Sequence, residues 1–558
     1  MWRTSTPGSR RCAVARRRDY DGISGFIGED GSKGLTHPAY RKGLARQLRN
    51  YELLDAGRTL KRAGDKTLDA TAGNPNTTNP IQGLHMHRSS TANQLLIVSG
   101  GNVYRYNQAA STYTDITNGV TLASGANNQT RSDRYIDATE EVTVILDPET
   151  NSPVLYDGTN CRILGGTPPA NARDCLAFKE HFFFINTDAG ANQVEYNSPG
   201  DIDVWPAGNN FPADRNSPGM ALAAMTEDVA LILHRDSIHR MLFNYRLLGT
   251  TSSFFDVYPT DSDNGTTATG SVIVFNGVCY FANDEGIWAI DDPTKKATRI
   301  SRPIDPFWSL LNPTRIQYMQ AIPRPGVPWS EIVWLVSTEG QVSSDSAAHD
   351  AAISYKPELG GHGGGWTIWT QDVADKFQFN CGTDFIDTDG RHHTVVGTYD
   401  GKLRRAWGWP FIPAYNTGYV DGGDTAIEDV ILTGFISHNR PQIKSIRELF
   451  LELELFSPVT FQLEVEGIDA TPLATQSLEF GASGGVLSES FQVGDEASLT
   501  GADSYLSSAL GSLERAPFDV DADATKFQYR LSSTNTDVPH IFAGFGFTFK
   551  TKGMRLRA

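Results

Sequence analysis

The chain has 558 residues, of which 10% are aromatic and 20% charged, with 53 glycines and a formal net charge of −17. That length exceeds one ordinary core and predicts two to four domains, and the excess of acid excludes a protein that holds nucleic acid by counterion release. No apolar run is long enough for a membrane-spanning helix. The five cysteines are scattered and form no CxxC pair, which argues against structural zinc or a disulfide framework and fits synthesis in a reducing cytoplasm.

Residues 1–35 are rich in Arg, Gly, Ser and Asp, show little apolar periodicity and read as a flexible basic arm. Six arginines and no acid fall within residues 1–18. Arg16, Arg17 and Arg18 are candidate contacts to an acidic neighbouring subunit or a phosphate, the other reading being a leader unrelated to the fold. Residues 36–82 form an N-terminal segment. Leu44, Leu48, Tyr51 and Leu54 stand at helical spacing and Gly57 ends the run, which predicts a helix; a short strand over 58–62 and a Thr-, Asn- and Pro-rich loop follow.

From 83 to 408 one unit recurs, seen most clearly at residues 278–291 (VCYFANDEGIWAID). It is a strand of period two, a short turn closed by Gly286, and a returning strand. Similar units start near 95, 142, 182, 229, 332 and 393, so the spacing lies near the 40–50 residues of a propeller blade. The predicted fold is therefore all-β, a propeller of six or seven blades, with a pair of sandwiches as the competing arrangement. Residues 409–426 read as a linker. Residues 427–558 read as a C-terminal β-sandwich of jelly-roll type, because Leu449, Leu451, Leu453 and Leu455, then Phe461, Leu463 and Val465, alternate with polar or exposed-type positions.

The connections are long and polar. Four prolines in 197–218 predict irregular structure, and this loop and 251–269 are candidates for gates or for subunit contacts, with Trp205, Asp261 and Asp263 as candidate subunit or partner contacts. Asp261 opens a stretch like a calcium loop, but an EF-hand requires glutamate where Val272 stands. No GxSxG or HExxH occurs. His392 and His393 point to opposite faces of a strand, His85 and His87 share a face but make too few ligands for a metal, His234 and His239 read as surface residues, and His181 as structural. No catalytic residue, cofactor or metal site is assigned, although 65 acidic residues leave a glycosidase pair open.

Residues 48–64 (LRNYELLDAGRTLKRAG) resemble the opening of the tail nozzle proteins of short-tailed bacteriophages, also called tail tubular protein B or packaged-DNA stabilisation proteins, through Asn50, Gly57, Leu60, Arg62 and Gly64. Similar loops follow at 197–208 (NSPGDIDVWPAG), at Gly286-Ile287-Trp288 with Arg299-Ile300-Ser301, and at Gly365-Trp366; residues 545–555 resemble the closing strand of that family's β domain. The resemblance implies a virion structural protein without catalytic residues. It implies a homohexameric ring beneath a portal-adaptor protein, in contact with tail fibres or spikes, with double-stranded DNA leaving through the ring. Such a protein is assembled in the host bacterial cytoplasm and makes no stable membrane insertion. A ring of six would gather on the order of 100 negative charges around that path, enough to repel a passing duplex. A carbohydrate-active or glycan-binding propeller, and a phage receptor-binding protein, are the alternatives; glycan turnover would mark the first, and cell binding by the isolated chain the second.

Overall fold

A computed structural model describes most of the chain between residues 19 and 551. Residues 1–18, 24–27, 34–43, 55–57, 69–73, 77–78, 91–92, 138–139, 149–151, 214–216, 245–254, 326–329, 341–347, 361–363, 372–376, 409–419, 422–424, 434–443, 456–458, 468–471, 481–511, 518–526, 534–539 and 552–558 lie outside the described residues.

Six four-stranded antiparallel meanders and three strands of a seventh follow one another from Ile81 to Ala406. Their first strands are Ile81–Arg88, Arg131–Ile136, Asp174–Phe178, Gly219–Ala224, Ile273–Phe275, Gln320–Arg324 and Phe379–Ile386, and these stand beside one another around a central channel. The protein is an all-β propeller of seven blades. The hairpin units read from the sequence are the second and third strands of each blade, for example Val278–Asn283 paired with Gly286–Ile290.

The apolar runs in those second strands follow from burial on both faces. Leu96 and Val98 pack with Ile145 and Tyr156 of blade two, while Leu95 and Ile97 pack with Phe385 and Val395 of blade seven. The same alternation gives one cluster at every blade boundary, from Phe182 and Phe184 between blades two and three to Trp369 and Trp407 between blades six and seven. Cys161, Cys175, Cys279 and Cys381 are buried in these clusters as free thiols. The ring is closed by an early strand: Asp65–Thr67 supplies the fourth strand of blade seven, with Arg404 2.6 Å from Asp65. A first-and-last pairing of this kind ties the early and late parts of the chain into one blade and leaves only a short outer edge.

Two further sheets face each other as a sandwich. One holds Ser512–Pro517, Lys444–Leu455, His540–Thr551, Thr59–Lys61 and Tyr51–Leu53 in that order, with Asp19–Ile23 also paired to His540–Thr551. The other runs Gln47–Arg49, Asp429–Leu432, Phe527–Ser533, Val459–Gly467, Pro472–Phe480. Val459, Phe461, Leu463 and Val465 are buried while Gln462 is exposed, so this strand has the one buried face that the sequence alternation predicts. The second sheet continues into blade six through a parallel contact of Arg49 with Ile368.

Several expectations are corrected. The helix expected from Leu44, Leu48, Tyr51 and Leu54 is absent; the strands Leu44–Ala45, Gln47–Arg49 and Tyr51–Leu53 occupy that stretch. A bend at Arg46 and a left-handed Asn50 (φ 59°) break the strand twice, so buried side chains recur at a helix-like interval. The segment is thus divided between sandwich and propeller. Within the expected arm, Asp19–Ile23 and Gly28–Glu29 are strands, the latter parallel to Leu44–Ala45; residues 1–18, with Arg16, Arg17 and Arg18, lie outside the described residues. The proline-rich 197–218 contains Asn210–Pro212, the outer strand of blade three, where a proline at an edge is tolerated. Likewise Phe255–Pro259 is the outer strand of blade four. Of the expected linker, only 420–421 and 425–426 are described, as a small antiparallel pair.

Candidate functional site

The channel is blocked at the end where the inner strands begin. Gln129, just before blade two, donates its side-chain amide to the Tyr318 carbonyl ahead of blade six at 2.9 Å and to the Asn380 carbonyl of blade seven at 3.2 Å. Asn380 in turn donates to the carbonyls of Ile81 and Ala126. Arg173, before blade three, donates to Thr269, before blade five, at 3.0 Å. Arg315 donates to Asn127 and Tyr399, and its guanidinium lies 4.3 Å from the centre of the Tyr318 ring. The bonds of Gln129, of Arg173 and of Arg315 to Asn127 join non-adjacent blades, so together they form a polar floor and not merely links between neighbours.

Against the inner strands of blades six, seven, one and two lies a cavity of about 480 Å³. Its polar lining includes His85, Arg88, Arg131, Asp133, Arg134 and Asp384. His85 is held by hydroxyls on both sides, with Thr130 2.8 Å from Nε2 and Ser132 2.8 Å from Nδ1. Burial, with the Arg131 charge, pushes it down to about 3, so the ring is neutral. Arg131 donates to Asp174 at 3.1 Å. Both Asp133 oxygens accept backbone N–H groups, from Arg134 and Ala177, yet burial pushes the carboxyl up to about 6. Asp384 lies 2.6 Å from His392 and 3.9 Å from Arg88; burial raises it, against the pull of both. The Arg88 contact is too long for a hydrogen bond.

A second polar constellation is buried where the sandwich meets the propeller. Asn50 sits at its centre. Its left-handed backbone turns the side chain so that Oδ1 accepts from Arg62 and from the Thr370 amide, each at 2.9 Å, while Nδ2 donates to the Glu428 carbonyl. Arg62 grips both Asp421 oxygens, at 2.8 and 2.5 Å. Asp429 accepts from the Tyr51 hydroxyl at 2.6 Å and lies 3.0 Å from Lys61 and 3.2 Å from His540. Arg324 of blade six joins Glu52 of the sandwich to Glu331 and also donates to the Trp407 carbonyl. Trp369 of blade six donates to the Tyr51 carbonyl at 2.9 Å. Asp421 also accepts from the Gln371 side-chain amide at 3.2 Å, and all of these charges are essentially inaccessible to water. Gly64 lets the backbone close here: an added Cβ would lie 2.0 Å from the Val420 carbonyl oxygen. Gly64→Ala is therefore expected to cost about 1–3 kcal/mol by overpacking. A urea midpoint equal to that of the unaltered protein would show that this junction yields freely.

The residues named from sequence are not brought together. Trp205 is buried between blades two and three, stacked on Phe184 at 5.1 Å and donating to the Ile202 carbonyl, so its surface is used within the protomer. Asp261 and Asp263 are exposed on the link between blades four and five, and Asp263 pairs with Lys296 at 3.2 Å. His234, expected at the surface, is fully buried with Nδ1 3.1 Å from the Ser217 carbonyl. His181 is buried against the Asn197 carbonyl, and His87 lies 3.0 Å from Thr143. Among the described residues no group of three or more His, Cys, Asp or Glu could hold a metal ion, and no helix is long and apolar enough to cross a membrane. The cavity and the buried junction were both missed from sequence. The one available signal for the junction was a run of charged residues, Glu52 and Lys61-Arg62, inside strands whose neighbours are apolar.

The class defined by these observations is a closed seven-bladed propeller joined to a two-sheet sandwich. No protein-family model and no curated protein sequence matches the chain. Among solved structures it is similar to Chaetomium thermophilum Raptor, at 11% identity and a TM-score of 0.38 over 62% of this chain, the match spanning 30% of the Raptor chain. It is also similar to the N-terminal domain of Nup159, at 9% identity and a TM-score of 0.36 over 64% of this chain and 98% of that one. A chain of a mitotic checkpoint complex gives 11% identity and 0.35, over 73% and 98%. Likenesses this distant carry no argument about activity.

Proposed function

We propose that the protein is a structural subunit of a short-tailed phage tail, a nozzle-type ring component through whose assembly genomic DNA is retained and then released. The observation that carries this reading is the position of the residues behind the sequence resemblance. Asn50, Arg62 and Gly64 lie in the buried junction between propeller and sandwich, and Leu60 is buried within the sandwich against Leu54 and Ile541. Gly57 lies outside the described residues. A motif that fixes two domains against each other suits a part whose work is mechanical. A conduit subunit needs rigid walls more than a reactive group.

In this reading DNA does not pass through the propeller, whose channel is crossed by the Gln129 and Arg173 hydrogen bonds. The path is the space enclosed by several protomers, and the chain's net charge of −17 lines it with repulsion for a duplex. The ring is a homohexamer with heterologous interfaces, with an adaptor above it and fibres or spikes beside it. Electron microscopy of purified protein and intact virions tests this. A six-fold ring on the tail axis is expected; a monomer that is absent from virions would overturn the reading.

A further inference from the structure

We propose that the channel cavity is a binding site for a small organic oxyanion, a carboxylate or phosphate carried on a body no larger than a monosaccharide. The inference is independent of any ring, because every lining residue belongs to one protomer.

The size argues for a small molecule. About 480 Å³ falls within the range of ordinary ligand pockets, and the lining begins next to the residues of the hydrogen-bonded floor, at Thr130, Gln320 and Cys381. It is built on the inner strands of four blades, each fixed by apolar clusters on both sides, so the lining is held in place before any ligand arrives.

The charge argues for an anion. The protein is strongly acidic overall, yet the lining gathers Arg88, Arg131 and Arg134 against Asp133 and Asp384, with His85 neutral. The acids are also the more committed groups. Asp133 spends both oxygens on backbone amides, and Asp384 is engaged by His392. Arg131 is tied to Asp174. Arg88 and Arg134 are different. Arg88 has its acid partner at 3.9 Å, Arg134 pairs with Glu141 at 3.3 Å, and both side chains are more than a third exposed. The Arg134 Nε is buried with no hydrogen-bond partner. A partly exposed guanidinium beside a hollow is the group that grips carboxylate or phosphate through two parallel N–H bonds, and Arg88, with its acid 3.9 Å away, is placed to do so. Pro323 adds an apolar contact to a lining that is otherwise mainly polar.

The test is calorimetric titration of the full-length protein with inorganic phosphate, glucose 1-phosphate and glucuronate, with neutral glucose as the uncharged comparison. At least one of the three anions is expected to bind with Kd near or below about 1 mM, and glucose about tenfold or more weaker. Preference among the three identifies whether phosphate or carboxylate is the natural group and whether the body contributes. Arg88→Gln and Arg134→Gln are each expected to weaken binding about tenfold, the value of one charge-assisted contact. Both positions are partly exposed, so the thermal midpoints should stay near that of the unaltered protein. The proposal is overturned if none of the anions binds with Kd near or below about 1 mM, if glucose binds as tightly as they do, or if folded Arg88→Gln and Arg134→Gln proteins bind unchanged.

Discussion

Truncation of Arg324 to alanine is expected to lower the unfolding free energy by about 3–5 kcal/mol, because it leaves two buried carboxylates without their shared cation. The side chain is 1% exposed and reaches Glu52 in the sandwich, Glu331 in its own blade and the Trp407 carbonyl at the entrance to the linker. Glu331 retains the Ser354 hydroxyl at 2.7 Å, whereas for Glu52, on which the Arg62 charge still acts, loss of the guanidinium pushes an already raised carboxyl further up. The loss should appear as a lower urea midpoint. A control separates a broken ion pair from a lost packing contact. The triple replacement Arg324→Met, Glu52→Leu and Glu331→Leu removes every charge at once and should recover much of the loss, since well-packed apolar groups can replace a buried ionic cluster at little cost. An Arg324→Ala protein within about 1 kcal/mol of the unaltered one would show that the junction does not depend on this cluster.

Asp429→Ala is expected to be of the same order, about 3–5 kcal/mol, since it strands Lys61 in a site that is fully buried and removes the acceptor of the Tyr51 hydroxyl. Its pH dependence gives a sharper check. Burial acts to raise the Asp429 carboxyl, but Lys61 and His540 beside it hold it down to about 2. The folded value lies below the ordinary one near 3.9, so the carboxylate stabilises the fold above about pH 4 and that contribution, roughly 2–3 kcal/mol, is lost as pH falls toward 2. Glu52 has the opposite sign. Burial, helped by the Glu331 charge and opposed by Arg324, pushes it up to about 7. A raised carboxyl favours the fold in its protonated form; the contribution is complete below about pH 4 and is lost as pH rises through 7. Stability should therefore peak at about pH 4, where the Asp429 contribution is complete and that of Glu52 is not yet being lost. Urea midpoints at acid, intermediate and alkaline pH would show the peak. Glu52→Gln should flatten the alkaline limb and Asp429→Asn the acid one. A curve without either limb would mean that these groups titrate alike in the folded and unfolded chain.

The blades were legible in the sequence because a strand buried on both faces leaves an unbroken apolar run, as in 95–98 and 182–185. Their first strands were not. Arg131–Ile136 carries Arg, Ser and Asp because it borders the channel, and Gly219–Ala224 is mostly glycine and alanine because the inner strands crowd together. The helix expected at Leu44 to Leu54 arose from two backbone breaks, which no period can encode. The cavity was unreadable for another reason. It assembles Arg88 with Asp384 and Gln129 with Asn380, groups that only ring closure brings into one place. Trp205 looked like an exposed anchor in a polar loop, whereas the loop folds back to stack it on Phe184.

Asp65 and Arg404, which close the propeller, are 339 residues apart, and Tyr51 and Asp429 of the sandwich are 378 apart. At the usual pace of about 5–20 residues per second, a ribosome needs roughly 20–75 s to travel between such partners. Six blades can emerge and stack during that interval. The first-made strands must wait through it with their pairing edges and apolar faces uncovered, and neither ring nor sandwich is complete until the late strands arrive. Half-made chains are therefore the most aggregation-prone form of this protein, and a truncation ahead of residue 404 loses the propeller's closure together with the sandwich.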